Sequence, residues 1–94
     1  MSSVIIQEAG KPDRIFHISQ KETIIGRGSD ADIALPHITV SREHAKIIHL
    51  TEDEVYVENV NTQDNLLVNG EEKLRCRLHT KDRIQIGGKY TLIY

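Results

Sequence analysis

Residues Ile25–His44 read IGRGSDADIALPHITVSREH. Gly26-Arg27 closes an apolar run, Thr23-Ile24-Ile25, and small and acidic residues follow it. A second short run, Ile33-Ala34-Leu35, is stopped by Pro36. A polar segment, Val40-Ser41-Arg42-Glu43-His44, then leads into Ala45–Leu50. Short runs rich in β-branched residues, bounded by Gly, Asp and Pro, are what strands and turns require. The competing reading is a helix capped by Ser41. The β-branched pair Ile47-Ile48 and the lack of a continuing apolar stripe weigh against it.

The same pattern extends in both directions. Upstream, Val4-Ile5-Ile6 gives way to the turn-rich Ala9-Gly10-Lys11-Pro12-Asp13. In the next run Ile15 and His17 share one face of an extended chain, and Phe16 and Ile18 the other. Downstream, Val55-Tyr56-Val57-Glu58 alternates apolar and polar residues, as a half-buried strand does. Leu66-Leu67-Val68 runs into Asn69-Gly70, a pair suited to a type I′ hairpin because both central residues need positive φ. Leu74, Cys76 and Leu78 alternate, Ile84-Gln85-Ile86 meets Gly87-Gly88, and Tyr90–Tyr94 closes the chain. The expectation is an all-β sandwich of about ten to eleven short, mostly antiparallel strands. Residues 1–94 are expected to form one domain, with no internal repeat or linker.

Composition narrows the function. The chain has 94 residues, enough for one modest core and little enclosed active-site volume. With aromatics at 4% and no Trp, the core must be built from Ile, Val and Leu. A net charge of -2 lacks the basic field that nucleic acid binding demands. The single cysteine, Cys76, rules out an internal disulfide and suits a reducing compartment. No apolar run is long enough to span a membrane, and the first residues lack the pattern of a secretory signal, so the expected location is cytoplasmic.

Several blocks in order, Gly26-Arg27, Asp32-Ile33-Ala34-Leu35-Pro36, Val40-Ser41-Arg42-Glu43-His44-Ala45, Val57-Glu58-Asn59, Val68-Asn69-Gly70 and Asp82-Arg83-Ile84-Gln85-Ile86-Gly87, resemble the forkhead-associated (FHA) domain family. The resemblance covers nearly the whole chain. It implies a SMAD/FHA-type β-sandwich that binds phosphothreonine-containing partners, without catalysis or cofactor, through loops at one end. It also implies a phosphorylated protein as partner, within a Ser/Thr kinase pathway.

The residue chemistry agrees. A phosphate is held by a planar guanidinium, a hydroxyl and backbone N–H groups acting together. Arg27, Ser41 and Arg42 supply these types. By resemblance Arg27 and Ser41 contact the phosphate and Arg42 flanks it. Alternatively, Arg27 pairs with Asp30 or Asp32 on the surface. The resemblance further implies a supporting role for Gly26, His44, Asn69 and Gly70, with the His44 imidazole bonding loop backbone.

One block departs from the family. Where FHA domains carry S-T-N-G-T, this chain has Thr62-Gln63-Asp64-Asn65-Leu66. The phosphate-binding threonine falls on Gln63 and the peptide-gripping asparagine on Asp64. Gln63 can still donate a hydrogen bond. Asp64 has no amide donor and adds negative charge near an anionic ligand. Asn65 takes the place of a glycine and tolerates left-handed φ. Gln63 and Asp64 therefore belong to the expected binding set with altered chemistry, and a phospho-independent scaffold is the alternative reading.

Enzyme chemistry is poorly served. Gly26-Arg27-Gly28 lacks the P-loop lysine and the glycine spacing of a dinucleotide loop. Ser41 and His44 lie outside any nucleophile elbow. The remaining histidines, His17, His37, His49 and His79, show no metal-ligand spacing.

Overall fold

The computed structural model describes residues 2–61 and 65–94. Among these described residues, eleven strands form two sheets. They are β1 (Ser2–Glu8), β2 (Arg14–Ile18), β3 (Glu22–Gly26), β4 (Ile33–Ala34), β5 (Ala45–His49), β6 (Val55–Asn59), β7 (Leu66–Val68), β8 (Glu71–Glu72), β9 (Arg75–Arg77), β10 (Arg83–Ile86) and β11 (Tyr90–Ile93). One sheet has the order β2-β1-β11-β10-β7-β8 and the other β4-β3-β5-β6-β9. All pairings are antiparallel except β3 with β4.

Alternation along each strand builds the core between the sheets. Val4 and Ile6 of β1, Ile84 and Ile86 of β10, and Tyr90 and Leu92 of β11 point inward from one sheet. Ile25 of β3, Ala45 and Ile47 of β5, and Val55 and Val57 of β6 meet them from the other. Each buried Ile, Leu or Val contributes about 1.5–3 kcal/mol by leaving water. On β2 the predicted division holds, with Ile18 buried and Ile15 exposed. On the Leu74–Leu78 run it holds in part: Leu78 is buried, Cys76 is half-buried against the core, and Leu74 stays 68% exposed. The segment after Ser41 is strand β5, in register with β3 and β6, and no helix forms there.

Asn69 and Gly70 make the predicted tight turn. Their φ values are 53° and 82°, and Val68 faces Glu71 across it. The strand that returns, β8, is only Glu71–Glu72.

Candidate phosphate-binding site

The β3–β5 ladder continues beyond its strands into two loops. Ile25 faces Ala45 in the sheet. Past that pair, His44 N–H donates to Ile25 C=O (2.9 Å), Arg27 N–H to Ser41 C=O (2.9 Å), and Gly28 N–H to Arg42 C=O (3.1 Å). These bonds draw residues 26–28 and 41–44 together at one end of the sandwich. Gly26 permits the approach, because a β-carbon there would overlap the Arg42 carbonyl oxygen. The loop after β3 is closed by Asp32. Its N–H donates to Ile24 C=O, and its carboxylate accepts Ile24 N–H, both at 2.8 Å.

An open depression of about 770 Å³ lies over these loops. Arg27, Gly28, Ser41, Arg42, Val60 and Asn61 line it, together with Ser29, Asp30 and Glu43. Arg27 is exposed, yet its guanidinium is fixed at one edge, where Nε donates to Val40 C=O (3.0 Å). The two terminal nitrogens keep the forked geometry that suits an oxyanion. The surface-pairing alternative for Arg27 is not realised among the described residues: Asp32 is engaged with Ile24, and no ion pair joins Arg27 to Asp30. Ser41 is half-buried, and its Oγ accepts from Asn61 Nδ2 (3.2 Å).

His44, 1% exposed, joins this loop to the next. Its Nδ1 accepts Ser41 N–H (3.2 Å), which places the ring proton on Nε2, and Nε2 donates to Asn65 C=O (3.3 Å). Val60 N–H donates to His44 C=O (3.1 Å) as a third tie. The ring's bonds to Ser41 and Asn65 thus both go to loop backbone, a donor on one side and an acceptor on the other.

The structure brings Arg27, Ser41 and Arg42 to one depression, with Gly26 and His44 holding it. Gln63 and Asp64 lie outside the described residues. Asn69 and Gly70, expected to support the binding loops, are not brought to the depression. They sit at the far end of β7 from Asn65, and their partners are on and beside β10: Asn69 Nδ2 donates to Asp82 Oδ1, and Asn69 Oδ1 accepts Arg83 N–H, both at 3.0 Å. Sequence reasoning missed Asn61 and Val60, because an isolated polar residue and an isolated apolar one after a strand end carry no periodic signal. Among the described residues no group of His, Cys, Asp or Glu could hold a metal, and no helix is long and apolar enough to cross a membrane.

The chain is similar to known proteins in sequence and in fold. Residues 23–87 match the FHA domain family. Over 79 residues, 84% of the chain, the sequence is 38% identical to the oxoglutarate dehydrogenase inhibitor of Corynebacterium efficiens and spans 54% of that protein. It is 37% identical over 79 residues, 84% of the chain, to the glycogen accumulation regulator GarA of Mycobacterium tuberculosis, of which it spans 48%. The chain therefore covers about half the length of these relatives. A solved structure from an analysis of phosphothreonine-dependent FHA domain interactions superposes with a TM-score of 0.84 at 26% identity, covering 99% of this chain and 97% of that one. The chain belongs to the FHA domain family.

Proposed function

We propose that residues 1–94 form a single docking domain that binds phosphothreonine in a partner protein. Arg27 and Ser41 grip the phosphate and Arg42 flanks it. The observation that carries this reading is the clamped pair: Arg27 N–H on Ser41 C=O, with the Arg27 guanidinium anchored by Val40 and the Ser41 hydroxyl oriented by Asn61. Two arginines in one depression offset the roughly -1.5 to -2 charge of a phosphate. The relatives are named as an inhibitor and a regulator, which supports a binding role without catalysis. A Ser/Thr kinase pathway in the cytoplasm would supply such a ligand, and the single cysteine suits that compartment.

Titration with a phosphothreonine peptide and its unphosphorylated form tests the reading. Binding is expected only for the phosphorylated peptide, and only with Arg27 and Ser41 intact. Equal affinity for both forms, or full affinity in Arg27→Ala, overturns it.

Gln63-Asp64 favours a second reading, a phospho-independent scaffold that binds through another face. Under that reading, capture of the partner survives phosphatase treatment and is lost on substitution of surface residues remote from Arg27.

A further inference from the structure

The four edges of the two sheets differ. In one sheet the edges are β4, two residues long, and β9, Arg75–Arg77, which carries two arginines. In the other they are β8, two glutamates, and β2, the five residues Arg14-Ile15-Phe16-His17-Ile18. Shortness and charge are the usual devices that stop an edge from pairing with another strand. β2 has little of either: it contains no lysine, proline or glycine, and its only fixed charge is Arg14.

The face beside that edge is apolar as well. Ile15 is 63% exposed and lies directly across from Ile5, which in turn faces Ile93 on β11. Ile5 and Ile93 are both only half-buried. Three isoleucines thus form a row on the outer surface that runs to the β2 edge and stops there. Phe16, on the inner face, is also only partly buried against the core.

We propose that β2 pairs antiparallel with β2 of a second copy of this chain about a two-fold axis at Ile15. This register brings Ile15 opposite its own copy and joins the two isoleucine rows into one. It sets Asp13 opposite His17 of the second copy, twice, on the outer face. It sets Arg14 opposite Phe16, twice, on the inner face, as a cation against an aromatic ring. Asp13 lies on that outer face already, where its Oδ2 accepts from Gln7 Nε2 (3.4 Å). Moving the axis to Arg14 would set Arg14 on Arg14, and moving it to Phe16 would set each Ile15 opposite His17 and part the two isoleucine rows, so the side chains favour the axis at Ile15. The ladder is short beside a standard interface of about 1,600 Å², so the dimer is weak and depends on concentration. A dimer carries two copies of the phosphate site and would bind a doubly phosphorylated partner with avidity.

Sedimentation equilibrium from about 10 μM to about 1 mM tests the association. The chain is expected to move from monomer to dimer across that range, and Ile15→Lys, which sets like charges opposite each other, to lower the association constant about tenfold or more. Crosslinking tests the register in a Cys76→Ser background. Thiols introduced by Ile15→Cys face each other with Cα atoms about 4.5–5.5 Å apart, within disulfide reach. Those introduced by His17→Cys lie about 14 Å apart. A covalent dimer is expected from the first variant and not from the second. A monomer throughout the range, as expected if the edge serves an extended segment of some other protein, overturns the proposal. So does a dimer unaffected by Ile15→Lys, or equal crosslinking at both positions.

Discussion

Gly26 faces the carbonyl of Arg42 so closely that a β-carbon on residue 26 would lie 2.7 Å from the carbonyl carbon and 2.9 Å from the Ser41 carbonyl oxygen. Both obstacles are backbone, held by the Arg27 and Gly28 hydrogen bonds, so neither can rotate away. Gly26→Ala must therefore push the two ligand-bearing loops apart. Overpacking of this kind costs about 1–3 kcal/mol, and here it falls on the bonds that align the site. Urea unfolding is expected to show a loss of about 3 kcal/mol, with phosphopeptide affinity reduced in the fraction that remains folded.

The His44 ring satisfies one backbone donor and one backbone acceptor in a buried place. His44→Ala removes the ring's buried bonds to Ser41 N–H and Asn65 C=O, at about 1–3 kcal/mol each. The expected destabilisation is about 3 kcal/mol. Nitrogen NMR of the wild-type imidazole is expected to show the neutral ring protonated at Nε2. A proton on Nδ1 at neutral pH would contradict the assigned bonds.

Arg27 separates charge from geometry. Its Nε is engaged with Val40, so the plane of the guanidinium is set before a ligand arrives. Arg27→Lys keeps the positive charge and loses both the anchor and the fork. The side chain is exposed, and stability is expected to change by less than about 1 kcal/mol. Phosphopeptide affinity is expected to fall at least about tenfold, nearly as far as in Arg27→Ala, by calorimetric titration.

The ligand itself supplies a pH dependence. The second pKa of a phosphate is about 6, and the dianion gains more from two arginines than the monoanion does. Affinity is expected to decline as pH falls through about 6 and to be level above about 7. A peptide bearing glutamate in place of the phosphothreonine has no second ionisation and should lack that step.

These expectations rest on residues that a reading of the chain can find to different degrees. The frame was legible because short β-branched runs recur between turn residues, and on β6 and β10 the inward positions alternate strictly, so period and burial coincide there. β8 carries no apolar signal, since Glu71–Glu72 pairs only because the Asn69-Gly70 turn returns the chain beside β7. Leu74 and Ile38 look like core residues by type, yet they stay 68% and 88% exposed, because local sequence does not say which apolar side chain the opposite sheet will cover. In the site, Arg27 and Ser41 stood out by residue type and by the family resemblance, and the role of His44 by the resemblance alone. Asn61 did not, because its contact with Ser41 Oγ spans twenty positions and exists only once β5 and β6 pair.

Asn69 and Gly70 offer a contrast between stability and function. Gly70 has φ of 82°, and Asn69 makes two side-chain bonds that secure β7 against β10. Gly70→Ala is expected to cost about 1 kcal/mol and Asn69→Ala about 2 kcal/mol in thermal or urea unfolding. Phosphopeptide affinity should stay within about twofold of wild type in both, because neither residue lines the depression. A tenfold loss of affinity without loss of fold would restore their role in supporting the loops.

Asp64 is where this chain's chemistry departs furthest from its family, and one substitution there weighs the two functional readings against each other. Asp64→Asn puts back the amide donor that the resemblance to FHA domains implies at this point of the sequence, and it removes one negative charge. A regained hydrogen bond together with relieved repulsion is worth about 1–2 kcal/mol, roughly tenfold in affinity. If the domain reads phosphothreonine, the variant should bind the phosphopeptide about tenfold more tightly, and the gain should vanish when Arg27→Ala is added, because both act on one ligand. If the domain is a phospho-independent scaffold, Asp64→Asn leaves partner capture unchanged whether or not the partner is phosphorylated. The double variant separates the cases: coupling between positions 64 and 27 that appears with the phosphorylated peptide and not with its unphosphorylated form marks a shared anion.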